Sequence, residues 1–170
     1  GNDASYGVDF FRVKGGNEHI YSFHAQSDTA ETYGIDADKI VPQIDEVTGE
    51  YIGSYEGRDI PWDVHMEYTE NTTQFENIGK SMLGEVRRAG EDALLGDNFA
   101  IDFKITDFNK ILKRGASGLR LRLTMLNDDT DSVTTEVALA KGKNTGNASN
   151  GNIPDFEYAL IKREGENLDS

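Results

Sequence analysis

Residues 98–108, NFAIDFKITDF, alternate apolar and polar side chains with a period of two. Phe99, Ile101 and Phe103 fall on one side of the alternation, and Asp102 falls on the other. Successive side chains of a β-strand point to opposite faces of the sheet, so the pattern predicts a strand with one buried face.

The same pattern continues downstream. It predicts strands at 117–126, 132–140 and 155–163. The turn-forming run Asn127-Asp128-Asp129-Thr130-Asp131 predicts that the strands before and after it form an antiparallel hairpin. The side chains expected to face inward are Phe99, Ile101, Phe103, Leu121, Leu123, Val137 and Tyr158.

The N-terminal part of the chain also has residue patterns typical of β-strands. Residues 6–13 are rich in aromatic and β-branched side chains, and Gly15-Gly16-Asn17 is a turn signal before 20–24, which predicts an N-terminal hairpin. Residues 25–57 are acidic and irregular, with short strands expected at 40–41 and 51–55.

One segment, 75–91, could form a helix, although Gly79, Gly84 and Gly90 each lower helix propensity by about 1 kcal/mol relative to Ala. Closely spaced strands joined by turns predict an all-β fold, an antiparallel β-sandwich with at most one short helix. The length of 170 residues fits a single domain over 1–170.

Composition excludes several classes of function. The chain has 31 acidic and 17 basic residues, and its formal net charge of -14 repels phosphate backbones and anionic membranes. We therefore expect neither nucleic acid nor a membrane as a partner. Cysteine is absent, which removes thiol nucleophiles, disulfides and thiolate metal sites.

The possible metal ligands are poorly arranged in the sequence. His19 and His24 are an odd number of positions apart, so on one strand their rings point to opposite faces. The acidic run 128–131 lacks the glycine and the bidentate glutamate of a helix-loop-helix calcium site. We expect no metal and no cofactor.

An aromatic segment at 51–68 is the candidate binding surface. Trp62, Tyr55 and His65 lie there beside carboxylates, and exposed aromatic rings beside acids are typical of sugar-binding surfaces. The predicted roles are contacts with a glycan, or self-association through an exposed patch.

Three stretches resemble heparinase II/III-like polysaccharide lyases, including the related alginate lyases. Residues 8–25, VDFFRVKGGNEHIYSFHA, are similar to the family's D-x-F-R-V-x-G-G-x-x-H-x-Y-x-x-H-G stretch. Residues 156–168, FEYALIKREGENL, resemble its late R-x-G-x-x-L strand and turn, and 119–126, LRLRLTML, its R-L-x-M-L strand.

The resemblance implies a bacterial enzyme, periplasmic or secreted, that degrades glycosaminoglycan or alginate. In the family, an α/α toroid and a following β-domain enclose a cleft in which uronic-acid polysaccharides are cut by β-elimination. The matched stretches belong to the downstream β-domain, and the family's catalytic residues lie upstream of them. We therefore expect a fragment of a larger lyase, inactive by itself, with an upstream toroid domain as partner and acidic polysaccharide bound through the parent enzyme.

Arg12, His19 and His24 match the family motif, and a structural role at a sheet edge is expected for them.

Two alternatives to a domain of a larger lyase remain. Trp62 and the tyrosines of the front half would instead suit a free-standing carbohydrate-binding module. An intact small lyase or hydrolase is the third reading, and it has no recognisable acid and base pair.

Folding should be independent of divalent metal. The protein contains no thiolate and its histidines are out of phase on their strand, so a chelator should remove no folding free energy. We expect the melting temperature in EDTA to equal that in buffer. A loss of more than a few degrees would reveal a site that the sequence pattern does not show.

Overall fold

A computed structural model describes residues 5–8, 12–42, 44, 46–47, 49, 83–107, 118–126, 133–142 and 155–169. Within these residues, β-strands form two antiparallel sheets that pack face to face, and helical structure is limited to short 3-10 turns at Ala37–Lys39 and Glu91–Ala93. The predicted all-β sandwich is confirmed.

The two sheets differ in size. The larger has five strands in the order β1 (Glu18–His24), β8 (Phe156–Glu164), β7 (Thr134–Gly142), β4 (Leu83–Ala89) and β3 (Val41–Pro42). The smaller has three, in the order β2 (Ala30–Tyr33), β5 (Asn98–Lys104) and β6 (Arg120–Leu126). β5 therefore has a hydrogen-bonded neighbour on each side, and among the described strands β6 lies at an edge.

The main core lies between the sheets. Phe99, Ile101 and Phe103 of β5 are buried against side chains of the larger sheet, among them Val137 and Ile161. Phe103 also contacts the ring of Phe23, with 5.7 Å between ring centroids. The strand predicted from 98–108 thus supplies the centre of the core.

A second cluster is buried on the opposite face of the larger sheet. Val86, Ala138, Ala140 and Leu160 are fully inaccessible there. β7 and β8 are therefore covered on both faces, which explains their nearly continuous buried patterns.

The four downstream strands form where they were predicted, at β5, β6, β7 and β8. The short strand predicted at 40–41 appears as β3, and β2 forms in the segment predicted to be irregular. The strand predicted at 51–55 lies outside the described residues.

The predicted N-terminal hairpin is wrong. Residues 6–8 and 12–13 are not strands, and β1 pairs along its whole length with β8 from the other end of the chain. The Gly15 amide donates to the Leu168 carbonyl at 2.7 Å. The glycine turn therefore contacts the C-terminal turn instead of returning the chain onto residues 6–13.

The hairpin predicted between β6 and β7 is also wrong, because β6 pairs with β5 and β7 pairs with β4 and β8. The run 127–131 that suggested it lies outside the described residues. Turn residues predict that the chain bends, and they do not specify which sheet the next strand joins.

The possible helix at 75–91 is not formed where the structure describes that segment, because Leu83–Ala89 is β4. A bulge between Gly84 and Arg87 shifts its register against β7. Val86 is buried on one face and Ala89 on the other. The two residues are three positions apart, and on a strand an odd spacing places them on opposite faces.

Two of the predicted inward side chains behave differently. Leu121 lies opposite Phe103 and so points toward the inner side, but it remains 43% exposed because β6 is an edge strand. Tyr158 packs against the second cluster with Leu160 and not into the space between the sheets. β8 is apolar on both sides, so alternation could not identify its inner face.

Gly34 closes β2 at a position where a side chain does not fit. Its φ is +73°, and a Cβ atom would lie 2.7 Å from the Asn98 carbonyl oxygen. Gly118 has a similar φ of +75°, with no atom within 4 Å of such a Cβ.

Replacing Gly34 by Ala should therefore destabilise the protein more than replacing Gly118 by Ala. Both substitutions carry the cost of a left-handed backbone, about 1 kcal/mol, and Gly34→Ala adds roughly 1 to 3 kcal/mol of overpacking. Urea denaturation of the two variants measures the difference. Equal losses would show that the β2 turn moves away from β5 without cost.

Candidate functional site

Arg12 of the family-like motif binds the C-terminal segment. Its Nε and Nη2 atoms donate to the two carboxylate oxygens of Asp169 at 2.6 and 2.5 Å. The neighbouring Lys14 forms an isolated bridge with Asp169. The guanidinium lowers the pKa of Asp169, mainly through these hydrogen bonds. Arg12 thus joins the two ends of the described chain.

The two histidines of the motif lie apart on β1. The His19 Nε2 atom is 2.6 Å from the Gly15 carbonyl oxygen, at the glycine turn. The ring of His24 stacks on Phe156, with 5.6 Å between centroids, and is 4.5 Å from the Tyr158 ring centroid. Five residues of strand separate them by about 16 Å, so they share no site.

The aromatic candidates Trp62, Tyr55 and His65, with the whole of 51–68, lie outside the described residues. Among the residues that the structure describes, no three His, Asp or Glu side chains come together as a potential metal site. Within the same residues, no helix has the length and apolarity required to span a membrane.

A charged cluster occupies the outward face of the smaller sheet. Asp102 is 3% exposed at the centre of β5, between Glu31 on β2 and Arg122 on β6. Arg122 donates from Nη2 to the Asp102 carboxylate at 2.7 Å, and Arg120 donates to it from Nε at 3.0 Å. Arg120 also reaches Glu31 at 2.5 Å.

The ring of Tyr33 completes this cluster. The Arg122 guanidinium carbon lies 4.5 Å from the ring centroid, in a cation–π contact. Ala100 is the residue opposite Tyr33 on β5, and its small side chain leaves room for the Arg122 guanidinium beside the ring. We call Glu31, Tyr33, Asp102, Arg120 and Arg122 the arginine face.

The arginines keep Asp102 ionised. Burial by itself raises the pKa of this carboxyl, but hydrogen bonds from Arg122 and then Arg120 outweigh burial, so the pKa is below its ordinary value of 3.8. A carboxylate with a lowered pKa is a weak proton acceptor at neutral pH. The arginine face is therefore suited to binding, and not to general base catalysis.

Two further carboxylates hold two cations each. Glu157, almost fully buried, binds Arg87 and also Lys141, the latter at 2.6 Å. Lys141 and the Glu157 backbone reach the carbonyls of Asp28 and Ser27 respectively, which fixes the loop between β1 and β2. This cluster closes one end of the core and has a structural role.

The third such carboxylate is Glu136, which pairs with Arg88 and lies 3.9 Å from the Lys162 amine. An adjacent cavity of about 420 Å³ is lined mostly by charged residues, with Val41 and Gly90 as the exceptions: Asp38, Lys39, Val41, Arg88, Gly90, Asp92 and Glu136. Lys39 and Asp92 pair across it at 3.2 Å. Both cations of its lining are therefore paired with carboxylates of the same lining.

The sequence patterns did not identify the arginine face. Asp102, Arg120 and Arg122 occupy the polar side of two amphipathic strands, where charged residues are usually solvated. The available signal was an aspartate in the middle of the alternating strand 98–104, between Ile101 and Phe103, together with an arginine pair on the strand that follows it.

Comparison with known proteins adds no assignment: no family model, no curated protein and no solved structure matches the chain.

Asp102→Asn should destabilise the protein at pH 7 by about 1 to 3 kcal/mol, the contribution of hydrogen bonds to a charged group. The folded-state pKa of Asp102 is lowered, so its contribution is complete above the unfolded-state value and is lost as pH falls through the folded-state value. Urea denaturation should therefore show the stability of the two proteins converging as the pH falls through the folded-state pKa of Asp102, which is below its ordinary value.

The matched control is Asp97→Asn, which changes an exposed carboxylate. It should alter the free energy of unfolding by less than about 0.5 kcal/mol both at neutral pH and in acid. A gap between wild type and Asp102→Asn that is as large in acid as at neutral pH would contradict a role for the ionised carboxylate.

Proposed function

We propose that this chain is a non-catalytic, C-terminal β-sandwich domain of a heparinase II/III-like polysaccharide lyase. The parent enzyme cleaves uronic-acid polysaccharides by β-elimination, outside the cytoplasm in the periplasm or the medium. The domain buttresses the catalytic cleft formed with an upstream α/α toroid.

One observation carries this proposal. The two best-matched stretches, 8–25 and 156–168, lie at opposite ends of the sequence and are neighbours in the fold. β1 and β8 pair from Glu18 with Glu164 to His24 with Tyr158. The two matched stretches thus form one strand pair. This pairing supports the proposal that both derive from the same family domain.

The contacts of the motif residues support a non-catalytic role. Elimination beside a uronate needs neutralisation of the carboxylate, a base for the C5 proton and an acid for the leaving oxygen, all at one place. Arg12 is bound by Asp169, His19 contacts Gly15, and His24 stacks at the other end of the strand. These side chains do not converge on a shared substrate position.

A free-standing carbohydrate-binding module is the second candidate. It is favoured by Tyr33, which is 44% exposed on a sheet face that also carries two arginines. Such a module would bind glycan without any partner domain. A buttressing domain would need its toroid before the complex acts on polysaccharide.

The chain alone should show no lyase activity on heparan sulfate, chondroitin, hyaluronan or alginate. The expected result is no increase in ultraviolet absorbance from an unsaturated uronate product, because no acid and base pair is assembled by the motif residues. His24→Ala is the companion variant. Product formation that this variant abolishes would overturn the proposal.

The reading frame of the gene tests whether the chain is a domain of a larger lyase. An encoded helical region upstream is expected for a lyase domain. A complete gene without one, together with glycan binding by the isolated chain, would favour the free-standing module.

A further inference from the structure

We propose that the arginine face binds a sugar chain that carries carboxylates, with Tyr33, Arg120 and Arg122 as contact residues and Asp102 as a positioning residue. The inference rests on the proposed association with polysaccharide and assigns that association a place in the fold. It requires no catalytic step.

Exposure distinguishes this cluster from the other two doubly paired carboxylates. The cations bound to Glu157 and Glu136 are at most 30% exposed, and they are used to satisfy buried charge. The side chains of Arg120 and Arg122 are 39% and 51% exposed although Asp102 beneath them is buried. Of the three clusters, this one presents its cations to solvent.

The guanidinium groups have donors left for a ligand. The bonds to Asp102 and Glu31 use the Nε and Nη2 atoms, so the Nη1 amino groups are not engaged by those carboxylates. Because Asp102 holds both groups in place, a ligand would lose little side-chain entropy in binding them. Planar guanidinium groups match planar carboxylates, which indicates the ligand's charged group.

Charge complementarity supports the same ligand. Lys104 lies opposite Arg120 in the register, so this face holds three cations against Glu31 and Asp102, a surplus of one positive charge. The whole chain carries -14. A polyanion would therefore be repelled by the chain's net charge and attracted by this local surplus.

The ring of Tyr33 indicates a sugar as the carrier of the carboxylate. Arg122 covers one side of the ring, and Tyr33 nevertheless keeps 44% of its surface exposed. Aromatic faces stack on the C–H groups of sugar rings. Arg120 and Arg122 are two residues apart on β6 and lie on the same face of the strand, so they present two cationic groups side by side.

The test is calorimetric titration of the chain with alginate hexasaccharide, a polyuronate, and with a neutral glucan hexasaccharide. Arg122→Gln should weaken polyuronate binding about tenfold, the effect of losing a charge-assisted hydrogen bond. Tyr33→Ala should weaken it about fivefold and Tyr33→Phe less than about twofold, because the ring supplies the stacking. Lys39→Gln, which removes the same charge elsewhere, should stay within about twofold of wild type.

Several outcomes would overturn the assignment. Polyuronate binding unchanged in both Tyr33→Ala and Arg122→Gln would place the site elsewhere, while leaving the proposed function intact. Equal affinity for the neutral hexasaccharide would refute the carboxylate requirement. No binding of either sugar would refute the glycan face but not a buttressing role. If the Arg122→Gln variant has a lowered melting temperature, the affinity of the Tyr33→Ala variant tests the site instead, because the Tyr33 ring is exposed and lies outside the core.

Discussion

The antiparallel pairing of β1 with β8 is the constraint on which the rest of the structure depends. It joins segments about 140 positions apart in the sequence, and closing so long a loop costs conformational entropy before any contact is gained. The contacts that offset this cost include the continuous β1 and β8 ladder, the backbone hydrogen bonds of Leu168 with Gly15 and Gly16, and the Arg12 pair with Asp169. With both ends joined, β8 lies between β1 and β7, and it is buried on two faces.

Local alternation predicted the strands well and their partners poorly, for a physical reason. The alternation at 98–108 indicates which side of the strand is apolar, and this is a local property of the strand's own residues. Pairing depends on distant segments, so the supposed partner of β1 was the nearest segment and not β8. Where both faces are buried, as for Tyr158 and Val86, alternation loses its meaning as well.

The candidate site was accessible from the sequence only in part. The odd spacing of His19 and His24 correctly separated them, since spacing along a strand is a local property. The arginine face was not predicted, because it combines Glu31, Asp102 and Arg122 from three strands whose order is set by pairing. A surface assembled across strands has no compact sequence motif.

The excess of acidic residues explains why cations gather where they do. Asp102, Glu157 and Glu136 are each buried or largely buried, and each is paired with two cations. One ionised carboxylate loses much hydration on burial, and two cations compensate that loss better than one. Glu31 and Glu164 each bind one cation of the Asp102 and Glu136 groups as well. In the larger sheet the cations are shielded, whereas on the three-stranded sheet they reach solvent beside an aromatic ring. A feature required for burying Asp102 thereby supplies the charge that a carboxylated ligand would recognise.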